Sequence, residues 1–308
     1  MGNHLIISLH FLTMVEYNSK SWLRLIFRWQ GSVYSKLFLK VGISAGLGVV
    51  AALLNESINF KLPNSAHALV GVALGLLLVF RTNASYDRWW EGRKLLGAMV
   101  NRSRDLTRQF ATLLPATSID DAKTLTRYVT LFYQVSALGL RLDRDLQPLV
   151  TKGVLLETEK AALESVGARG PVVLGWISAR LARLARMGEL TELRLMGMDA
   201  NITSLQDSLG ACERIARTPL PFAYAQHLKA LVTLFVLTAP FVLVDQMKWS
   251  TPVAMAALAF ALFGIDEIGI EIEDPFGDDA NDLPIEKIGD GIIAATGDVL
   301  AHAGALER

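Results

Sequence analysis

The sequence predicts an all-α membrane protein with four transmembrane helices and a helical cytosolic region. Of its 308 residues, 52% are hydrophobic and 19% are charged, which is less charge than the roughly 25% of an average soluble domain. The apolar residues are concentrated in four stretches, whereas the long middle of the chain repeats them at helical spacing. These observations argue against a disordered chain and favour helices that cross a bilayer.

Four apolar stretches define the predicted spans, because a helix needs about 20 apolar residues to cross the hydrocarbon core. They are Leu37–Leu54, Leu62–Phe80, Ala230–Val244 and Pro252–Ile265. The first two are close to that length. The last two are shorter, so each is either a buried core helix or a span that Tyr224–Lys229 and Asp266–Ile272 extend. A soluble helical bundle is the alternative architecture.

Basic residues are concentrated before the first apolar stretch and after the second, which are flanks on the same side of the membrane. Five of them occur from Lys20 to Lys40 and seven from Arg81 to Arg108, whereas the connection Asn55–Lys61 contains a single lysine. Because cytoplasmic flanks carry the excess of lysine and arginine, both termini and the middle of the chain are predicted to be cytoplasmic. This topology describes a multi-pass protein of the cell (inner) membrane, with the lipid bilayer as a partner.

The N-terminal segment 1–36 precedes the first span. Its apolar start lacks a basic region and an A-x-A-like site, so no cleaved signal peptide is expected, and Ile6 breaks the myristoylation pattern. Met14 is an alternative start. Residues Ser21–Leu37 place Trp22 and Trp29 at helical spacing beside arginines, which predicts either an interfacial amphipathic helix or a helix packed on its neighbours.

The predicted organisation continues with spans in 37–80, a helical cytosolic region in 81–219, spans in 220–272, and an acidic turn with a cytosolic tail in 273–308. The sequence contains no Gly-rich phosphate loop, HExxH or GxSxG motif, so no enzyme is predicted. The formal net charge of zero gives no global field that would attract nucleic acid. The single Cys212 excludes an intrachain disulfide and a cysteine metal cluster.

The second span contains two patterns that bear on function. Gly71 and Gly75 form a G-x-x-x-G on one face, which permits close contact between helices. Val72, Leu76 and Phe80 form an apolar stripe at i, i+4 and i+8. In an oligomer, such a stripe could face a common axis and make a hydrophobic constriction. On the pattern alone, a stripe that faces lipid or the core is the favoured interpretation, because any apolar helix contains such stripes.

An acidic stretch follows the fourth span. Residues Asp266–Asp282 contain eight acids and no lysine or arginine. The turn-rich part, Asp274–Asp282, could hold Ca²⁺ through oxygen ligands, although its spacing is not that of an EF-hand. The alternative, which we favour, is a structural turn whose acids pair with basic residues of the helix Arg81–Arg108, namely Arg81, Arg88 or Arg93.

Three sequence blocks resemble bestrophins, in particular the bacterial bestrophin-like proteins. The blocks are Phe80–Arg93 after the second span, Cys212–Tyr224 before the third and Ile272–Pro284 after the fourth. They occur in the family's order relative to the four spans, and the resemblance covers about Ser21 to Gly291. It implies an ion channel for small monovalent ions, built as a homo-pentamer around one central pore, with no cofactor required.

The resemblance also assigns residues. Bestrophins have a narrow neck lined by three apolar side chains on the second span, and these correspond to Val72, Leu76 and Phe80. They have a cytosolic aperture on the helix before the third span, which corresponds to Leu193, with Leu190 as the alternative. An apolar neck does not select charge. Animal members conduct chloride and other anions, whereas the bacterial-type motifs favour cations.

Animal bestrophins also sense calcium at the Pro-Phe-Gly motif, where Asp274, Asp279 and Asp282 occupy ligand positions in this sequence. Ala280 and Asn281 interrupt the acidic run, and bacterial relatives are not generally gated by calcium. We therefore expect this turn to be mainly structural. The alternative to a channel is a membrane scaffold or transporter-like protein without a conducting pore.

Overall fold

The structure is a computed structural model that describes residues 20–60 and 62–302. In these residues every regular element is helical, so the predicted all-α class is confirmed. The hypotheses on the signal peptide, on myristoylation and on Met14 as the start lie outside the described residues. The described chain divides into two compact units, each with its own core.

The helices are numbered in chain order. Their bounds are α1 Trp22–Ile26, α2 Tyr34–Ile58, α3 Asn64–Leu113, α4 Ile119–Leu140, α5 Gln147–Thr151, α6 Glu157–Glu164, α7 Arg169–Arg186, α8 Glu192–Arg217, α9 Phe222–Met247, α10 Thr251–Glu273 and α11 Ile285–His302. Short 3-10 helices cover Ala116–Ser118 and Lys248–Ser250.

The first unit comprises the described residues up to Trp90 together with Thr218–Pro275 and Asp279–Asp282. Within the described residues, three helical stretches are long and apolar enough to cross a membrane: Tyr34–Ile58, Asn64–Leu113 and Phe222–Glu273. The third contains two α-helices, α9 and α10, which the 3-10 turn Lys248–Ser250 separates. Three of the four apolar stretches lie entirely in helices, and the second, Leu62–Phe80, does so from Asn64 onwards.

The core of the first unit is formed where α3 packs against α9 and α10. Its buried members are aliphatic, and they are Leu74, Leu78, Leu228, Val232, Val236, Ala239, Met255 and Ala259. Helix α2 packs closely along α10. At Gly48 a Cβ atom would lie 2.7 Å from the Pro252 Cα, so only glycine fits this crossing.

The second unit comprises Glu91–Arg217, Phe276–Asp278 and the described residues from Leu283 onwards. Helix α4 is its centre and packs against α7, α8 and α11, with Leu125, Val129 and Phe132 fully buried. Cys212 is buried in this unit, and burial raises the pKa of its thiol to about 12. A thiol with that pKa stays protonated at neutral pH and is inert.

One helix boundary differs from the prediction. The predicted helix Ser21–Leu37 is split into α1 and α2, and residues 27–33 between them are not helical. Gly31 in this segment adopts a φ of 75°, a left-handed conformation that an α-helix cannot contain. The predicted second span ends at Phe80, and the helix α3 that contains it continues without a break to Leu113. The hydropathy of a sequence marks the apolar part of a helix and not its end.

Candidate functional site

Helix α3 has two distinct faces in its apolar half. Leu74 and Leu78 are buried in the core of the first unit. Val72, Leu76 and Phe80 are 75%, 56% and 57% exposed in the single chain. The predicted apolar stripe is therefore not covered by any other part of the described chain. The stripe is therefore the surface that would face a partner chain, lipid or a pore.

The two glycines of the G-x-x-x-G pattern differ in their surroundings. A Cβ at Gly71 would lie 3.1 Å from the Phe235 ring, whereas a Cβ at Gly75 would meet no atom within 4 Å. The Phe235 ring also stacks on His67 at 4.0 Å between ring centroids. Gly71 thus allows α3 to approach α9 within the chain, and Gly75 leaves a small open face beside the apolar stripe.

Polar side chains continue the apolar stripe along α3. Asn83 and Asp87 are exposed and follow Leu76 and Phe80, respectively, by seven residues. Seven residues advance a helix by about 10 Å and rotate it to within about 20° of the starting direction. Within the part of the chain that the structure describes, Asp87 makes no ion pair. The sequence interpretation did not connect Asn83 and Asp87 with the stripe, although their heptad spacing from it is visible in the sequence.

A buried arginine follows the stripe directly. Arg81 is 2% exposed, and its Nη1 donates a hydrogen bond of 2.9 Å to Asp266 Oδ1 while Nη2 lies 3.4 Å from Glu273 Oε2. A Cβ at Gly269 would be 3.3 Å from Arg81 Nε. The absence of a side chain at Gly269 therefore leaves room for the guanidinium beside α10.

Arg88 and Trp89 of the same helix bind backbone carbonyls. Arg88 Nε donates to the Glu273 carbonyl at 2.9 Å, and its Nη1 donates to the Thr218 carbonyl at 2.5 Å. Trp89 Nε1 donates to the Asn281 carbonyl at 3.2 Å. These bonds join α3 to the segment between α8 and α9, to the end of α10 and to the acidic turn.

The acids of the stretch Asp266–Asp282 pair with basic residues from several parts of the chain. Arg81 pairs with Asp266 and Glu273, as the interpretation of a structural turn predicted. Lys36 Nζ lies 3.0 Å from Glu271 Oε1 and 3.5 Å from Asp279 Oδ1, and Arg141 Nη1 lies 3.3 Å from Asp278 Oδ1. The Lys36 contacts could not be predicted, because the partners are more than 230 residues apart.

The three aspartates that were considered as calcium ligands have different roles. Asp274 follows the last residue of α10, Asp279 is exposed, and Asp282 is buried. The Asp279 backbone N–H donates to Asp282 Oδ2 at 2.6 Å. Within residues 20–60 and 62–302, no group of three or more histidine, cysteine, aspartate or glutamate side chains converges on a metal position.

The two candidates for the cytosolic aperture lie in the second unit and differ in exposure. Leu193, in the first turn of α8, is 80% exposed, whereas Leu190 is 3% exposed and belongs to the core. A residue that lines an opening must reach solvent in the single chain. Exposure therefore favours Leu193, and its role as an aperture stays a prediction.

Comparisons with known proteins define the family. The bacterial/fungal bestrophin family matches residues 14–297. A voltage-dependent anion channel-forming protein of Synechocystis sp. is 36% identical over 274 residues, which are 87% of this chain and 88% of that protein. Another from Nostoc sp. is 36% identical over 276 residues, with 87% and 88% covered. The chain belongs to the bacterial/fungal bestrophin family.

Solved structures agree with that assignment. The crystal structure of a bacterial bestrophin homolog from Klebsiella pneumoniae is 28% identical to this chain and superposes with a TM-score of 0.80. The match covers 86% of this chain and 98% of that chain. These matches confirm the resemblance of the three sequence blocks to bacterial bestrophins.

Proposed function

We propose that five copies of this chain surround one axis and conduct small monovalent ions through a neck formed by Val72, Leu76 and Phe80. The chain is an ion channel of the bestrophin family. The exposed apolar stripe of α3 is the observation that supports this neck. Its three side chains are uncovered, whereas the opposite face of the helix is buried in the core.

The proposed topology has four spans with both termini in the cytoplasm. Helices α2, α9 and α10 contain 25, 26 and 23 residues. At 1.5 Å per residue each exceeds the ~30 Å thickness of the hydrocarbon core. The apolar N-terminal half of α3 forms the remaining span, which is the second in chain order. The basic residues from Lys20 to Lys40 and from Arg81 to Arg108 support a cytoplasmic position for these flanks.

The proposed neck restricts ion flow by dehydration. Each apolar layer would present five copies of one side chain, and an ion that enters it loses hydration without gaining a polar partner. The helix rises about 12 Å over the eight residues from Val72 to Phe80, so three layers would succeed one another along the pathway. Exposed Leu193 is proposed as a second, cytosolic constriction.

Charge selection must come from groups outside the apolar layers, and Asp87 is the candidate. Its exposed carboxylate lies on the same stripe about 10 Å beyond Phe80, with the Asn83 amide between them. Five carboxylates at one level attract cations and repel anions. We therefore propose that this position favours monovalent cations. The Synechocystis and Nostoc relatives are named anion channel-forming proteins, so the direction of selection is a property to measure.

Flux through purified protein in liposomes tests this function. The protein in detergent is first sized, and a mass of five chains is expected. Reconstituted vesicles under a salt gradient should then show a reversal potential whose sign gives the selected ion. A monomer without flux would overturn the channel and support a membrane scaffold or transporter-like protein. We propose no enzymatic activity, because the sequence contains no catalytic motif.

A further inference from the structure

We propose that Lys36 occupies the cation position between Glu271 and Asp279 and that this chain therefore binds no calcium there. Glu271 lies in the last turn of α10, three residues before the acidic turn Asp274–Asp282. Animal bestrophins sense calcium at the corresponding Pro-Phe-Gly motif, where Asp274, Asp279 and Asp282 occupy ligand positions in this chain. The arrangement of the side chains does not fit that ion, and the disagreement assigns a role to Lys36.

The Lys36 ammonium lies between two carboxylates. Its Nζ is 3.0 Å from Glu271 Oε1, whose side chain is 7% exposed, and 3.5 Å from Asp279 Oδ1. The other Glu271 oxygen, Oε2, accepts a hydrogen bond of 2.6 Å from Asn281 Nδ2. Both oxygens of the buried carboxylate are thus occupied by donors of the chain itself.

Calcium would need the same oxygens. Ca²⁺ takes six to eight oxygen ligands at about 2.3–2.6 Å, but Glu271 has no free oxygen and Asp282 Oδ2 already accepts the Asp279 backbone N–H at 2.6 Å. A divalent ion between Glu271 and Asp279 would also lie against the ammonium, and like charges at that distance repel strongly. Calcium could enter only if Lys36 left.

The backbone before Lys36 is fixed on the turn as well. Asn281 Nδ2 lies 3.3 Å from the Gly31 carbonyl, and the Tyr34 ring packs on Phe260 of α10 at 5.7 Å between centroids. Lys36 therefore extends from the first turn of α2 at a fixed distance from the carboxylates. A cation that is attached to the chain has a high effective concentration, so it holds the turn at any concentration of free calcium.

Thermal unfolding of the intact oligomer in detergent tests the assignment. The melting temperature of the wild type should be equal in chelator and in millimolar CaCl₂. Lys36→Met should melt at a lower temperature in chelator, by about 2–4 °C for each kcal/mol that is lost, and CaCl₂ should restore it while MgCl₂ does so less. Lys36→Arg keeps a cation at the position and should not respond to calcium.

A second pair of measurements keeps the proposal falsifiable if Lys36→Met does not fold. Asp279→Asn is a suitable variant, because Asp279 is exposed and the change leaves no cavity. Titration with CaCl₂ should show that the wild type and Asp279→Asn bind calcium equally little. Calcium that binds the wild type and is lost in Asp279→Asn would overturn the proposal. A folded Lys36→Met variant that melts like the wild type, or that ignores calcium, would overturn it too.

Discussion

Arg81 and Asp266 form an ion pair of 2.9 Å in which both side chains are almost fully buried. Arg81 follows Phe80, the last residue of the proposed neck, and Asp266 belongs to α10. The pair therefore fixes the cytosolic end of the apolar stripe against a neighbouring helix of the same unit. Breaking a buried pair by removing one partner typically costs about 3–5 kcal/mol, because the other charge stays buried without compensation.

Replacing this arginine should destabilise the protein strongly. We expect Arg81→Met to lower the free energy of unfolding by roughly 3–5 kcal/mol, measured as a loss of melting temperature in detergent. The matched control is Arg102→Met, because Arg102 pairs with Asp105 at 3.3 Å on an exposed surface, and such pairs contribute about 1 kcal/mol or less. Equal effects of the two substitutions would contradict the proposed role of burial.

Substitutions at the two glycines of the second span should distinguish packing within the chain from packing between chains. Gly71→Leu should lower the melting temperature, since the added side chain would collide with the Phe235 ring. An added Cβ at Gly75 would meet no atom of the described chain within 4 Å, so we expect Gly75→Leu to act mainly on the oligomer and to shift the sizing profile to smaller species. A normal oligomer with Gly75→Leu would show that this glycine faces open space.

Removing the carboxylate of Asp87 should reduce the preference for cations. In vesicles under a salt gradient, Asp87→Asn should move the reversal potential toward zero, because five negative charges would be lost from the stripe. The control is Asp120→Asn, which removes an exposed acid at the start of α4. If Asp87→Asn leaves the potential unchanged while neck variants alter flux, charge selection lies elsewhere and the channel function stands.

The sequence predicted the helices whose apolar periodicity is strong. The apolar residues that repeat at helical spacing in the middle of the chain include those of α4, where Ala122, Leu125 and Val129 are buried. The break at Gly31 was missed, since a single glycine does not by itself reveal a left-handed φ. Helix α11, over Ile285–His302, was missed where a cytosolic tail was predicted.

The candidate site was predictable in part. The stripe Val72, Leu76 and Phe80 follows from spacing within one helix, and its assignment to a neck came from the family resemblance. The contact of Lys36 with Glu271 could not be predicted, because these residues meet only after the first and last membrane helices have packed. Contacts between residues that are distant in the sequence leave no periodic pattern.

Single-channel conductance of a neck variant tests the central claim most directly. The triple substitution Val72→Ala, Leu76→Ala, Phe80→Ala should raise conductance severalfold while the oligomer keeps its mass, because shorter side chains widen the dehydrated layers. The matched control truncates three exposed apolar residues of α2, Phe38, Leu39 and Ile43, and should conduct like the wild type. An intact neck variant whose conductance equals that of the wild type would place the constriction elsewhere.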